Sequence, residues 1–258
     1  MVDLKIRDFV IDNISAVLFD KDGTLIDVHT WWGEIVRRRA WALVSAYNLL
    51  NEDAEPLMYA MGLRNGGKLA PEGPVGLVGR KEVIWAVRNH LRTRHEVIAS
   101  NEGIGEIFNN VHTEFQKGSA AYMKALPGAC DLMCRLHEQG VKIAIVTNDS
   151  VGATKEVLEV LGVAHTVDCI IGQDNMGSAK DTGGPARQAL EALGVFFNEA
   201  VVIGDAPIDI KMAMNCPVAA GIAVATGQTS IDDLGRHTPF VISSLNEIVL
   251  RKDGRGIV

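Results

Sequence analysis

From Pro127 onward the chain alternates short apolar runs with segments of helical periodicity, and this rhythm restricts the possible folds more than any other feature. A helical pattern over about 128–139 leads into Val141-Lys142-Ile143-Ala144-Ile145-Val146, and one over about 152–161 leads into residues 167–171. A segment near 185–193 precedes Ala200-Val201-Val202-Ile203, and a helix through 209–214 precedes residues 218–224, with Phe240-Val241-Ile242 as a further short strand. Such alternation implies right-handed crossovers and a parallel sheet covered by helices. The 258 residues, 47% of them apolar, are enough to bury a full core.

One strand stands apart from this series. The run Ile14-Ser15-Ala16-Val17-Leu18-Phe19 reads as a buried strand, yet the next comparable run begins only at Val141. The intervening pattern is helical: Trp31-Trp32 opens a stretch to about Leu50, and 81–94 and 105–117 read as further helices. Between them Gly62 to Pro74 is dense in glycine and proline and must be loop or hairpin. The expected architecture is therefore α/β, a Rossmann-like parallel sheet core with an inserted helical cap domain. The expected boundaries are 1–28 and 124–258 for the core and 29–123 for the cap.

Polar residues gather where the strands end. Phe19 is followed by Asp20-Lys21-Asp22-Gly23-Thr24, Val146 by Thr147-Asn148-Asp149, and Ile203 by Gly204-Asp205, with Asp209 one helical turn further. Lys180 lies in a loop that enters a helix. Parallel strands bring their C-terminal ends to one edge, where open α/β sheets bind ligands. An Asp-Gly turn alone explains Asp22-Gly23, but turn chemistry does not explain the whole series.

The set suits phosphoryl transfer through a covalent intermediate. A carboxylate can serve as nucleophile and so split hydrolysis into two steps. It repels a phosphate dianion unless a cation intervenes, and Mg²⁺ takes oxygen ligands with only one or two protein carboxylates. Asp20 and Asp205 are suitable ligands. Asp22, on the same loop as Asp20, is placed to protonate the leaving alkoxide and then activate water. Thr147, the backbone N–H groups after it, and Lys180 would hold the equatorial oxygens.

Asp20-Lys21-Asp22-Gly23-Thr24, Thr147-Asn148, Lys180 and Gly204-Asp205 with Asp209 resemble the four motifs of the haloacid dehalogenase (HAD) superfamily in its phosphatase branch. The resemblance covers the whole chain and is nearest to phosphoglycolate phosphatase-like members. It implies Asp20 as nucleophile and metal ligand, and Asp22 as general acid/base whose backbone carbonyl also binds Mg²⁺. It further implies Thr147 and Asn148 as phosphate-binding, Lys180 as the cation steadying nucleophile and phosphate, and Asp205 as metal ligand. Asp209 would orient Lys180 or a metal-bound water. The third motif departs from the usual Lys-Pro, since Lys180-Asp181-Thr182-Gly183-Gly184-Pro185 carries its proline later, which implies a less rigid loop. Lys155, on the helix after Thr147, is the rival lysine and reads better as a solvated residue.

The resulting expectation is a Mg²⁺-dependent phosphatase of a small phosphorylated metabolite, with phosphoglycolate as the narrower candidate. A dehalogenase has no need of an acid at the Asp22 position. A phosphomutase keeps both Asp20 and Asp22, and a catalytically silent regulatory module is the alternative from another class. A P-loop kinase needs Gly-x-x-x-x-Gly-Lys-Ser/Thr, and no such string occurs.

The net charge of −7 argues against nucleic acid as a partner, and no apolar stretch is long enough for a bilayer. The four cysteines lack zinc-ribbon spacing, and Cys130 and Cys134 read as small buried apolar residues of a reduced, cytoplasmic protein, monomer or homodimer. In the cap, Arg64, Lys68, Arg80 and Lys81 are candidates for a substrate carboxylate, though each reads more readily as surface charge. His29 lies near the first of two expected hinges, 27–30 and 123–127, and Trp31, Trp32, Trp41 and Trp85 are expected to pack within the cap.

Overall fold

The computed structural model describes residues 1–71, 73–76 and 79–252. Glu72 of the glycine- and proline-rich loop, Leu77 and Val78 of the expected cap, and 253–258 of the expected core lie outside the described residues. The chain opens with strands β1 (Val2–Ile6), β2 (Phe9–Ile14) and β3 (Ala16–Phe19). Helices α1 (Val28–Ala46), α2 (Ala54–Ala60), α3 (Arg80–His95) and α4 (Asn101–Gln116) follow. The alternating part runs α5 (Ala129–Glu138), β4 (Lys142–Val146), α6 (Val151–Val160), β5 (Cys169–Ile171), α7 (Gly184–Leu193) and β6 (Ala200–Gly204). It closes with α8 (Pro207–Asn215), β7 (Ala220–Val224), α9 (Ile231–Leu234), β8 (Val241–Ile242) and β9 (Ile248–Lys252).

Contacts divide the chain into two compact units, Met1–Asp27 with Ala125–Val258, and Val28–Lys124. In the first, a six-stranded sheet has the order β5-β4-β3-β6-β7-β8 with every pair parallel. Each face takes alternate residues, as the two-residue repeat of a strand demands. Val17, Phe19, Ile143, Ile145, Val201 and Ile203 enter one apolar cluster with Leu132 and Leu136 of α5. Ala16, Leu18, Ala144, Val146, Ala200 and Val202 enter the opposite cluster with Ala186, Ala189 and Leu190 of α7. Burial on both faces is why these strands read as continuous apolar runs.

The β3 strand is shorter than the apolar run that contains it. Ile14 belongs to β2, and β1, β2 and β9 form a separate antiparallel sheet of order β2-β1-β9 outside the expected parallel series. The signal was present, since Val2, Leu4 and Ile6 alternate with polar residues and all three are buried. These side chains, with Ile14 and Ile248, join the same cluster as Val17 and Phe19. The shorter strands β5 and β7 begin later than their apolar runs, at Cys169 and Ala220.

The helical unit has its own core. Val83, Val87 and Leu91 recur every four residues along α3 and meet Val36, Ala40 and Leu43 of α1 and Ile104 and Phe108 of α4. The α4 helix begins four residues before its expected start, because Ser100 caps it by accepting a hydrogen bond from Gly103 N at 2.9 Å. Helix α2 was not distinguished by periodicity. Leu63 and Leu69 pair across the glycine-rich loop in an antiparallel bridge.

Leu4→Ala tests whether the terminal ribbon belongs to the main core. Urea denaturation should show a loss of about 2–5 kcal/mol, the range for a fully buried leucine; a loss near zero would mean that the ribbon folds apart from the sheet.

Candidate active site

The parallel register places the candidate residues side by side. Phe19 lies opposite Ile145 on one neighbour and Ile203 on the other, so β3, β4 and β6 end in step. Asp20, whose N–H donates to Ile203 O at 2.8 Å, thus leaves the sheet beside Thr147 and Asp205. The loop after Asp20 turns tightly, with Leu25 N and Ile26 N both donating to Lys21 O. Gly23 sits in this turn at φ 87°, and a Cβ there would run into the Asp205 carboxylate. Glycine is therefore required on two grounds, conformation and space. Thr24 Oγ1 donates to Asp205 Oδ1 at 3.4 Å, and Thr226 Oγ1 donates to Gly23 O at 2.6 Å.

Lys180 is the centre of the charged group. Its Nζ lies 2.6 Å from Asp20 Oδ1 and 2.6 Å from Asp209 Oδ1, with all three side chains almost wholly buried. Asp209 is held from its other oxygen, Oδ2 accepting from Ala206 N at 3.0 Å at the start of α8. Gly204 has no room for a Cβ because the Asp209 carboxylate occupies that space. The loop carrying Lys180 does not depend on a Lys-Pro step: Asn215 Nδ2 donates to Asp181 O at 2.8 Å, Thr182 Oγ1 donates to Ala179 O at 2.7 Å, and Ser178 and Thr182 share a bond. These bonds anchor the loop in place of a Lys-Pro step. Lys155 is exposed on α6.

The Asp22 carboxyl stands apart from that cluster. Its side chain is 29% exposed, and Oδ1 accepts from Lys21 Nζ at 2.7 Å. Lys21, only 2% exposed, also lies 3.3 Å from Asp149 Oδ2. Sequence reasoning did not single out Lys21 or Asp149. The available signal was a lysine between two aspartates at the end of an apolar strand, where solvent is scarce. Thr147 is buried and its Oγ1 accepts from Asp149 N at 3.2 Å, while Asn148 is exposed.

Burial and like charge leave their mark on titration. Burial, then the charges of Asp20 and Asp209, pushes Asp205 well above the ordinary carboxylate range. Burial also raises Asp20, against the pull of Lys180, and raises Asp22, against the pull of Lys21. For Lys180 burial acts downward, but the charges of Asp20 and Asp209 outweigh it and the ammonium titrates above its usual range. Oxygens of Asp20, Asp205 and Asp209 lie within 4.8 Å of one another, the one group of three or more such side chains among the described residues. Buried and oxygen-only, this set fits a hard divalent cation.

A family profile described as haloacid dehalogenase-like hydrolase matches residues 14–216. The chain belongs to that family. A phosphoglycolate phosphatase of Rhodospirillum rubrum is 29% identical over 212 residues, covering 81% of this chain and 78% of that protein. Pyrophosphatase PpaX of Halalkalibacterium halodurans is 24% identical over 209 residues, covering 81% and 83%. Among solved structures, a HAD-superfamily hydrolase, subfamily IA, from Geobacter sulfurreducens superposes with a TM-score of 0.63 at 15% identity, covering 91% of this chain and 94% of that one, a likeness of fold.

Elsewhere in this HAD hydrolase the expected residues fall in several settings. Cys130 and Cys134 are free and pack partly buried against the main core. No helix among the described residues is long and apolar enough to cross a membrane. His29 Nδ1 accepts from Leu69 N at 3.1 Å, and Trp31 meets Phe115 edge-on at 4.9 Å. Trp41 and Trp85 depart from the packing expectation, being 49% and 59% exposed. Arg64 and Arg80 donate to the carbonyls of Tyr59 and Gly105, and Lys68 and Lys81 are exposed.

Lys180→Met leaves Asp20 and Asp209 buried without their cation. The expected loss is about 3–5 kcal/mol in metal-free protein at pH 7.5. Asp20 and Asp205 titrate above the ordinary carboxylate range in the folded protein, so the folded state binds more protons and the stability they contribute falls as pH rises from about 4. The loss should therefore shrink at pH 5. Equal losses at both pH values in urea titrations with a chelator would rule out charge as the cause.

Proposed function

We propose that this hydrolase is a Mg²⁺-dependent phosphatase of a small phosphomonoester, working through an aspartyl-phosphate on Asp20. The observation that carries the reading is the buried Lys180 ammonium on Asp20 Oδ1, beside Asp205 and Asp209. With Oδ1 engaged by Lys180, Oδ2 of Asp20 is proposed as the oxygen that attacks phosphorus. Asp20 and Asp205, with the Asp22 backbone carbonyl, would hold Mg²⁺, which when bound neutralises phosphate charge and polarises the phosphoryl group.

The first step forms the Asp20 O–P bond and breaks the ester P–O bond, with a proton passing from the Asp22 carboxyl to the departing alkoxide. Burial, by raising Asp22, favours the protonated form that this step needs. In the second step Asp22, now a carboxylate, takes a proton from water as the water oxygen attacks phosphorus. The acyl phosphate is cleaved, inorganic phosphate leaves and Asp20 is restored. Thr147 and Asn148 bind the phosphoryl oxygens in this scheme, and Asp209 orients Lys180 through the ion pair at 2.6 Å. The helical unit Val28–Lys124 is proposed as the cap that selects the substrate, with phosphoglycolate the leading candidate.

Phosphate release from a generic phosphomonoester should require Mg²⁺, disappear in Asp20→Asn and fall by about 10²–10⁴ in Asp22→Asn. Equal release by wild type and Asp20→Asn would sink the mechanism. In a panel of metabolite esters that also contains pyrophosphate, phosphoglycolate should give the highest kcat/KM. A flat profile would remove phosphoglycolate as the substrate while leaving the chemistry intact.

A further inference from the structure

The core of the helical unit contains a charge that its surroundings do not answer. Arg39, on α1, is 6% exposed, and among the described residues its guanidinium makes neither a hydrogen bond nor an ion pair. Its Nε is buried without a partner. The group lies over the Phe108 ring of α4, 4.2 Å from the centroid, and 6.0 Å from the ring of Trp32. Arg80, at the start of α3, reaches the same Phe108 ring from 5.9 Å while Arg80 Nη2 donates to Gly105 O at 2.7 Å. Two arginines on different helices thus meet at one aromatic ring. Burial, and then the like charge of Arg80, depresses Arg39 to about 10.

This arrangement is unusual for a cation that serves packing alone. A guanidinium carries five N–H donors in a rigid fork, and an ion taken from water normally recovers them on a carboxylate or carbonyl. Aromatic faces attract the cation but accept none of those N–H groups in full. The neighbouring charge is of the same sign, so it raises the penalty. A planar or tetrahedral oxyanion bonded to the fork of Arg39 and reached by Arg80 removes both defects, because it supplies acceptors and opposite charge together.

We propose that Arg39 and Arg80 form an oxyanion-binding site within the helical unit, over the Phe108 ring, for a carboxylate or phosphate group. Its residues all belong to the unit Val28–Lys124, whereas the carboxylate cluster of Asp20, Asp205 and Asp209, of opposite sign, belongs to the other unit. It stands whether or not the phosphatase mechanism proposed above is correct.

The test follows the Arg39 Nε–Hε resonance in isotope-labelled, full-length, metal-free protein, assigned by its loss in Arg39→Lys. Sodium phosphate, sodium acetate and sodium chloride are titrated at matched ionic strength. A saturable movement with phosphate or with acetate, absent with chloride, is the expected result, and the tighter of the two identifies the ligand class. Arg80→Gln keeps the reporter and should weaken the fitted affinity roughly two- to fivefold, the range that an exposed charge supplies. Movement no greater than that with chloride overturns the site. An unchanged affinity in Arg80→Gln overturns the pairing of the two arginines.

Discussion

The buried ammonium of Lys180 is the interaction on which the carboxylate-rich edge of the sheet depends. Asp20, Asp205 and Asp209 bring oxygens within 4.8 Å of one another in a region almost free of solvent. Like charges so placed repel strongly, and burial compounds the repulsion by removing hydration. A cation at 2.6 Å from two of the three lets them coexist. Lys21 performs the same service for Asp22 and Asp149 from the neighbouring position in the loop. Even so, five carboxylates face two ammonium groups, and the residual negative potential is the physical argument for a divalent cation.

Backbone shape makes this crowding possible. The in-step ends of β3, β4 and β6 set the spacing of the loops. Gly23 and Gly204 then leave out the side chains whose Cβ atoms would occupy the positions of Asp205 and Asp209. These two glycines belong to the site as fully as the charged residues do. They also explain why Asp20 and Asp22, only two residues apart, live in different surroundings. The turn through Gly23 sends Asp20 toward Lys180 and Asp22 toward Lys21.

Much of the core was legible because its strands are buried on both faces and its helices are short and regular. The runs at Val141–Val146 and Ala200–Ile203 correspond to β4 and β6 within a residue or so. The ribbon of β1, β2 and β9 was less legible, since each strand carries two polar residues and β9 lies at the opposite end of the chain from β1. Pairing at that separation leaves no local trace. The meeting of Lys180 with Asp20 was legible through the family resemblance, whereas the role of Lys21 was not, because a lysine beside two aspartates resembles any charged turn. In the helical unit, Arg39 was hidden in the run Arg37-Arg38-Arg39, where only the third side chain turns inward.

The amino-acid sequence by itself determined the parallel α/β order, the insertion of a helical block after one strand, and the residue types that arrive at the sheet's C-terminal edge. These follow from periodicity and chain order, which are local properties. Tertiary structure alone decided that Lys21 joins Asp22 to Asp149, that Asp22 stands outside the cluster of three carboxylates, and that Arg39 Nε is buried without a hydrogen-bond partner among the described residues. Those outcomes depend on distances of a few ångströms between residues far apart in the chain. Packing, through the loss of hydration and the exclusion of a Cβ, sets those distances.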